Sequence, residues 1–410
     1  MISYQEALGI ILAESTVLTR SSVPLQDAAG RVSAEALFAH LDVPAFANAA
    51  MDGYAVAASD TRHASEAQPV ILPVAGTVVA GLAPPQARPG SAWEIMTGAP
   101  VPAGLDAVVP VERIAEHVPG GPALSSIHLR QFAQPGQNVR RMSEDFRRGE
   151  RVIDAGTRLA AHHLMGLAAC GLDEVSVCDT PRMAILTTGS ELASSGSELQ
   201  AGQIRDANGP YLRALLAQLG IAGSMRSTAA DNALALRKEL GELAEHSDLI
   251  LTTGGVSAGR LDLVPDVVRA LGGEILFHKV AIRPGKPILY ARLPGGKHLF
   301  GLPGNPLAVA VGMRFFVIPA LRAMQGLAAE VFRPAICEDA VRSRSRLRFF
   351  AKAHRTVDAE ACSRVQILAG QESFRIGSLL KANCWAVIPE GYDVLPADST
   401  VLTAPLYPDP

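Results

Sequence analysis

Three stretches of this chain end an apolar run on a glycine-rich turn, and that repetition constrains the fold more than any other feature. They are "RMAILTTG" (182–189), "DLILTTGG" (248–255) and "HLFGLPG" (298–304). Amphipathic helices lie between or after them. In "GPYLRALLAQLG" (209–220), Tyr211, Leu212, Leu215, Leu216 and Leu219 fall on one face. Repeated strand–turn–helix units over about residues 177–327 predict a parallel sheet covered by helices on both faces. Ligands of such sheets collect beyond the carboxyl ends of the strands, where all three turns fall.

The turns are suited to oxyanions, because backbone N–H groups converge on a ligand where no Cβ holds it away. "LTTGGVSAGRLD" (251–262) supplies Gly254 and Gly255, adds the Ser257 hydroxyl, and ends on Asp262. It lacks the lysine of a nucleotide-binding P-loop, and its only nearby cation is Arg260. In "GLPGNP" (301–306), Pro303 and Gly304 set a rigid turn, and Pro306 opens a helix whose N-terminus attracts anions. One such turn is more often just a tight connection; three at one sheet edge favour an anion site.

Cations follow in "FHKVAIRPGKP" (277–287). Read as a strand, this places Phe277, Lys279, Ala281 and Arg283 on one face, with Lys286 on the Pro–Gly turn beyond. Such a row suits phosphate or an oxometalate; a solvated edge strand is the competing reading. Asp52, Asp145, Asp206 and Asp262 lie beside glycines or turn signals. As hard oxygen donors they suit Mg²⁺, which takes one or two protein carboxylates and fills its shell with water. No HExxH or HxH motif occurs, His162–His163 read as a helix surface or a satisfied core, and "TTGSE" makes no nucleophile elbow.

With 410 residues the chain has room for two to four domains. A net charge of −3 argues against a nucleic-acid binder, and five cysteines without a CxxC pair argue against a zinc cluster and for a reducing cytoplasm. Ser3 and Glu6 have capping-box spacing for an opening helix, with Leu8, Ile11 and Leu12 on one face. The apolar region 307–321 is interrupted by Arg314 and Pro319, so no membrane span is expected. Residues 46–140 alternate β-branched runs with Pro–Gly turns, "AAHHLMGLAACGL" reads as a helix, and residues from 328 onwards return to short strands.

The motifs "NAAMDGYAV", "IMTGAPVPAGLDAVVPVE", "TTGGVSAGRLD", "AIRPGKP", "GLPGNP" and "KANCWAVIPEG" occur in an order that resembles MoeA proteins. These are the molybdopterin molybdenumtransferases, related to the C-terminal part of gephyrin, and the likeness spans nearly the whole chain. It implies a multidomain α/β plus β protein. Residues 1–45 with 141–176 would form an N-terminal helical and extended linker domain. Residues 46–140 would form an inserted β-rich domain, 177–327 a central parallel α/β molybdopterin-binding domain, and 328–410 a small β-barrel-like domain. It further implies a homodimer whose cleft lies between the α/β domain of one subunit and the N-terminal β region of the other. The implied reaction hydrolyses molybdopterin adenylate, releases AMP and inserts molybdate, with Mg²⁺. A molybdopterin-adenylylating protein and molybdoenzyme maturation factors are the implied partners.

Carried over by position, Asp52, Thr97 and Asp145 match the N-terminal site. Glu191, Asp206, Ser257, Asp262, Lys279 and Lys286 match the α/β site, and Ser373 matches a serine associated with molybdate. Asp52, Asp145, Asp262 and Lys279 are the expected catalytic groups, with Asp52 and Asp262 as metal ligands. The remaining matched residues, with Gly254, Gly255, Arg283, Pro303, Gly304 and Pro306, would bind substrate. The chain departs from the family pattern at Ala49, Ser143, Arg260, Arg283 and Ala308, which leaves room for a paralogue of altered substrate or metal preference. A non-catalytic molybdopterin scaffold is the alternative from another class, and an adenylyltransferase is a third reading that the MDGYA half opposes.

Overall fold

The computed structural model describes residues 1–116, 123–193, 196–221, 225–229, 232–256 and 263–408. Helix α1 (Tyr4–Glu14) starts on the expected capping box: the Ser3 hydroxyl accepts from the Glu6 N–H (3.1 Å), and Glu6 Oε2 accepts from the Ser3 N–H (2.7 Å). Its buried stripe is Tyr4, Ala7 and Ile11 rather than Leu8, Ile11 and Leu12, and Leu12 is 40 % exposed. The reason is Tyr4, which packs edge-on against Phe316 and Phe350 and so sets the face that turns inward.

Antiparallel pairing of Arg20–Pro24 with Glu174–Cys178, and of Leu37–Phe38 with Arg151–Ile153, brackets the intervening chain. Within that span lie β1 (Gly53–Val56), β2 (Val70–Val78), β3 (Ala92–Ile95), β4 (Ala107–Pro110) and β5 (Ser126–Leu129). They form one sheet in the order β4-β1-β3-β2-β5. Helix α2 (Ala161–Ala169) follows; His163 Nδ1 accepts the Ala160 N–H (3.0 Å), so the paired histidines belong to its exposed start.

The central sheet contains β6 (Met183–Thr188), α3 (Asn208–Gln218), β7 (Met225–Ala229), α4 (Ala233–His246) and β8 (Leu249–Thr253). It continues through α5 (Val264–Ala270), β9 (Glu274–His278), β10 (Leu289–Leu293) and β11 (Lys297–Leu302). Its order is β7-β6-β8-β11-β10-β9, parallel across β7, β6, β8 and β11 and antiparallel at β10 and β9. The sheet is therefore mixed, not wholly parallel: only residues 294–296 join β10 to β11, too few for the helix of a parallel crossover, and the link from β9 to β10 detours to pair Ile282–Arg283 elsewhere. Alternate side chains serve two cores. Ile185 and Leu251 pack with Leu212 and Leu216 of α3, while Leu186 and Ile250 pack with Leu236 and Leu240 of α4. Helices cover both faces, as expected.

At the amino ends of the parallel strands, Asp248 binds Arg182 through both carboxylate oxygens (2.8 and 3.1 Å) and Lys297 (3.4 Å). Burial raises the Asp248 carboxyl, but hydrogen bonds and charge from Arg182, with Lys297, outweigh it and hold the pKa at about 2.

After β11 the chain is helical from Pro306 to Met324: α6 (Pro306–Gly312), a π-helical turn (Met313–Val317) and α7 (Ile318–Met324). Arg314 and Pro319 do not break it. The Tyr4 hydroxyl donates to Phe315 O (3.4 Å), the carbonyl four residues before Pro319, which has no N–H to offer. Arg314 bonds Glu330 (2.6 Å) and Pro405 O (2.9 Å). The segment is long and apolar enough to cross a membrane, but 83 % of it is buried inside the fold, as in a core helix. The last strands are β12 (Arg333–Cys337), β13 (Arg348–Val357), β14 (Ser363–Ile367), β15 (Cys384–Ile388) and β16 (Thr400–Pro405). They close into a small barrel in the order β13-β14-β12-β16-β15-β13.

Candidate functional site

Parallel register decides where the turns meet. Thr187 pairs with Thr253, and Thr253 with Leu302, so β6, β8 and β11 end level with one another. The Thr188 hydroxyl donates to Thr253 O (3.1 Å), and the Gly254 N–H donates to Leu302 O (3.0 Å). Gly254 has φ +89°, and a Cβ there would stand 2.8 Å from Thr188 O and Oγ1, so only glycine fits this junction. Gly304 lies across from it, its absent Cβ 3.9 Å from Gly254 Cα. The Glu191 carboxylate folds back against Gly189 in the first turn.

Side chains then close around this floor. Asp206 accepts from the Gly209 N–H (2.9 Å) at the start of α3, and Asn208 Nδ2 donates to Gly304 O (2.8 Å). Pro306 is the first residue of α6, beside the third turn. The Leu307 N–H donates to Ser373 O (3.1 Å), which brings a loop of the barrel region to the same helix start. His278 Nε2 bonds Val256 O (2.9 Å), so Lys279 directly follows a residue that touches the second turn.

Lys279 and Arg283 do not share a strand face. β9 stops at His278, Lys279 turns through φ +75°, and Ile282–Arg283 pairs instead with β13 of the barrel. The Arg283 guanidinium lies 4.6 Å from the Phe349 ring centroid, where a cation–aromatic contact holds it on the barrel. Lys279 is half-buried, and Lys286 is exposed on a turn whose Gly285 packs near Ala308 O of α6.

Ser257, Arg260 and Asp262 lie outside the described residues. The N-terminal candidates form a separate group. Asp52 Oδ1 accepts from both the Thr97 N–H (2.7 Å) and the Thr97 hydroxyl (2.8 Å). These two donors, the N–H first, hold the exposed Asp52 carboxyl below its ordinary range. Asp145 is exposed, and its N–H donates to Val43 O (2.9 Å). Among the described residues, Asp52, Thr97 and Asp145 make no hydrogen bond or ion pair to the central sheet or its turns. The departures have physical correlates. Ser143 occupies φ +60°, a conformation favouring glycine, while Ala49 and Ala308 are buried where an added hydroxyl would need a partner.

Sequence reasoning missed Asn208 and Lys352. Lys352 is buried in β13, and its ammonium donates to Gly370 O, Arg375 O (3.1 Å) and Ser378 Oγ (2.7 Å). It thereby braces the loop that carries Ser373. Burial lowers its pKa, against the opposing charge of Glu372. A lysine inside the apolar run "FFAKA" was the available signal; for Asn208 there was none.

Comparison with known proteins gives one consistent result. Residues 2–171 match the MoeA N-terminal region (domain I and II), and residues 184–323 match a probable molybdopterin binding domain. A molybdopterin molybdenumtransferase of Synechococcus elongatus is 35 % identical over 98 % of both chains. Molybdopterin molybdenumtransferase 2 of Mycobacterium tuberculosis is 40 % identical over 82 % of both. The crystal structure of the molybdopterin biosynthesis MoeA protein from Pyrococcus horikoshii OT3 superposes with a TM-score of 0.81 at 29 % identity, covering 98 % of this chain and 99 % of that one. Nearly full-length identity above 30 %, together with the shared architecture, places this chain in the MoeA family, which serves molybdenum cofactor biosynthesis.

Proposed function

We propose that the protein hydrolyses molybdopterin adenylate, releases AMP and inserts molybdate into the dithiolene of molybdopterin. The observation that carries this reading is the level meeting of three turns, closed by Asn208 at one side and the start of α6 at the other. The glycine-rich turns let phosphate oxygens approach the backbone closely, and the ammonium groups of Lys279 and Lys286 suit further anionic oxygens. Asp262, the last residue of the motif 251–262, would orient water or metal.

Mg²⁺ fits the chemistry of Asp52. Its carboxylate is ionised and exposed, with one oxygen engaged by Thr97 and the other making no hydrogen bond among the described residues. Asp52 and Asp262 would hold the ion, which would supply charge neutralisation at the phosphate while keeping most of its waters. Asp52, Thr97 and Asp145 complete the cleft of a second subunit in a homodimer. What supports this is their exposure and, among the described residues, their lack of bonds to the central sheet of their own chain, with Met51 and Met96 exposed beside them. Five free cysteines accord with a cytoplasmic reaction.

The test mixes the purified protein with molybdopterin adenylate, Mg²⁺ and molybdate. AMP release that depends on molybdate is the expected result. Tight molybdopterin binding without AMP would establish the scaffold role instead.

A further inference from the structure

A cavity of ≈ 450 Å³ opens where five stretches of the chain meet, and none of its walls belongs to the three turns. Ile221, Ile318 and Leu321 line it with apolar surface, and Arg158 and Arg322 face it with charge. Both arginines are half-buried. Arg158 donates to Gly30 O (2.8 Å) and to Gln325 Oε1 (3.1 Å), and Gln325 is itself 6 % exposed. Arg322 donates twice to Ala328 O (3.1 and 2.8 Å). All these acceptors are neutral. Glu330, whose charge reaches Arg322, is already bonded to Arg314 (2.6 Å).

Two guanidinium groups thus share a partly desolvated space without a carboxylate bonded to either among the described residues. Burial pushes the pKa of Arg158 down and the charge of Arg322 pushes it the same way, as expected for like charges brought together. Each guanidinium has five N–H donors, and the bonds above use two, so both keep forked donors for an oxyanion. The apolar walls select against a bare, fully hydrated ion.

We infer that this cavity binds a small organic anion, an oxyanion group on an apolar body, clamped between Arg158 and Arg322. The inference is independent of the reaction at the turns. Phosphate and carboxylate share the recognising chemistry, so two probes separate them.

The experiment titrates the full chain with phenyl phosphate and with benzoate by calorimetry, using benzyl alcohol as the neutral comparator. A Lys279→Ala background weakens anion binding at the turns. One saturable site per chain is expected for at least one anion and none for benzyl alcohol. Arg158→Gln and Arg322→Gln should each weaken binding tenfold or more. A second arm needs no variant: in the wild-type chain the bound probe should slow phenylglyoxal modification of Arg158 and Arg322, mapped by peptide mass. Absence of saturable binding at millimolar probe overturns the inference. So does unchanged affinity in the folded arginine variants, or unchanged modification of both arginines with probe bound.

Discussion

The turns of the central sheet and the Asp52–Thr97 pair are held by different physics. Gly254 is pinned by its N–H on Leu302 O and by close approach to Thr188, at the ends of strands that are buried along their length. Asp52 and Thr97 are exposed at the rim of a five-stranded sheet and bonded to each other. The first group is assembled by the fold itself. The second is finished locally and presented outward, which is the arrangement expected of residues that complete another surface. One region shows how topology brings turns together; the other is, on the proposed reading, what a chain offers to its neighbour's cleft.

The largest expected effect is at Asp262 and Lys279, the groups proposed to act in the chemistry. Asp262→Asn keeps shape and removes charge, so AMP release should fall by about 10²-fold or more if the carboxylate acts in the transition state. Lys279→Ala should weaken substrate binding far more than stability, since a partly solvated lysine adds little to folding. Single-turnover assays beside denaturant melts separate the two; near-normal turnover in both variants would remove these residues from the chemistry.

Next in size is the clamp opposite the site. Asp248→Asn should cost about 1.5–3 kcal/mol, the range for hydrogen bonds to a charged group. Because the folded Asp248 pKa is depressed to about 2, its stabilisation is fully present above the ordinary carboxyl range and is lost as pH falls towards 2. The difference between wild type and variant, read by urea melts, should therefore shrink between about pH 4 and pH 2. A difference that stays constant across that interval would contradict the assignment.

A smaller effect is expected in the outward-facing region. Thr97→Val removes the hydroxyl donor but leaves the backbone N–H on Asp52. The Asp52 carboxyl should then titrate at higher pH, moving the acid limb of the pH–rate profile upward with little change in melting. An acid limb that does not move would separate Asp52 from the activity.

Much of the assembled region is legible in the sequence, because an apolar run ending in glycine reports both a buried strand and its turn. The antiparallel edge is not legible: periodicity reveals a strand but not its direction. Lys279 misled because alternation assumes an unbroken strand, and nothing in "FHKVAIR" announces a left-handed residue. Asn208 gains its role only from the turn that the fold sets opposite it. Asp52 and Thr97 lie 45 positions apart, and only the family motifs linked them before the hydrogen bonds did.

The most direct test of a site divided between subunits mixes Asp52→Ala chains with Lys279→Ala chains and follows AMP release. In a mixed dimer one cleft has lost both residues and the other has lost neither. Activity should therefore return well above that of either variant alone, in proportion to the mixed dimers present. Mixed dimers that form, shown by native mass spectrometry, yet stay as inactive as the separate variants would mean that each cleft is built within one chain.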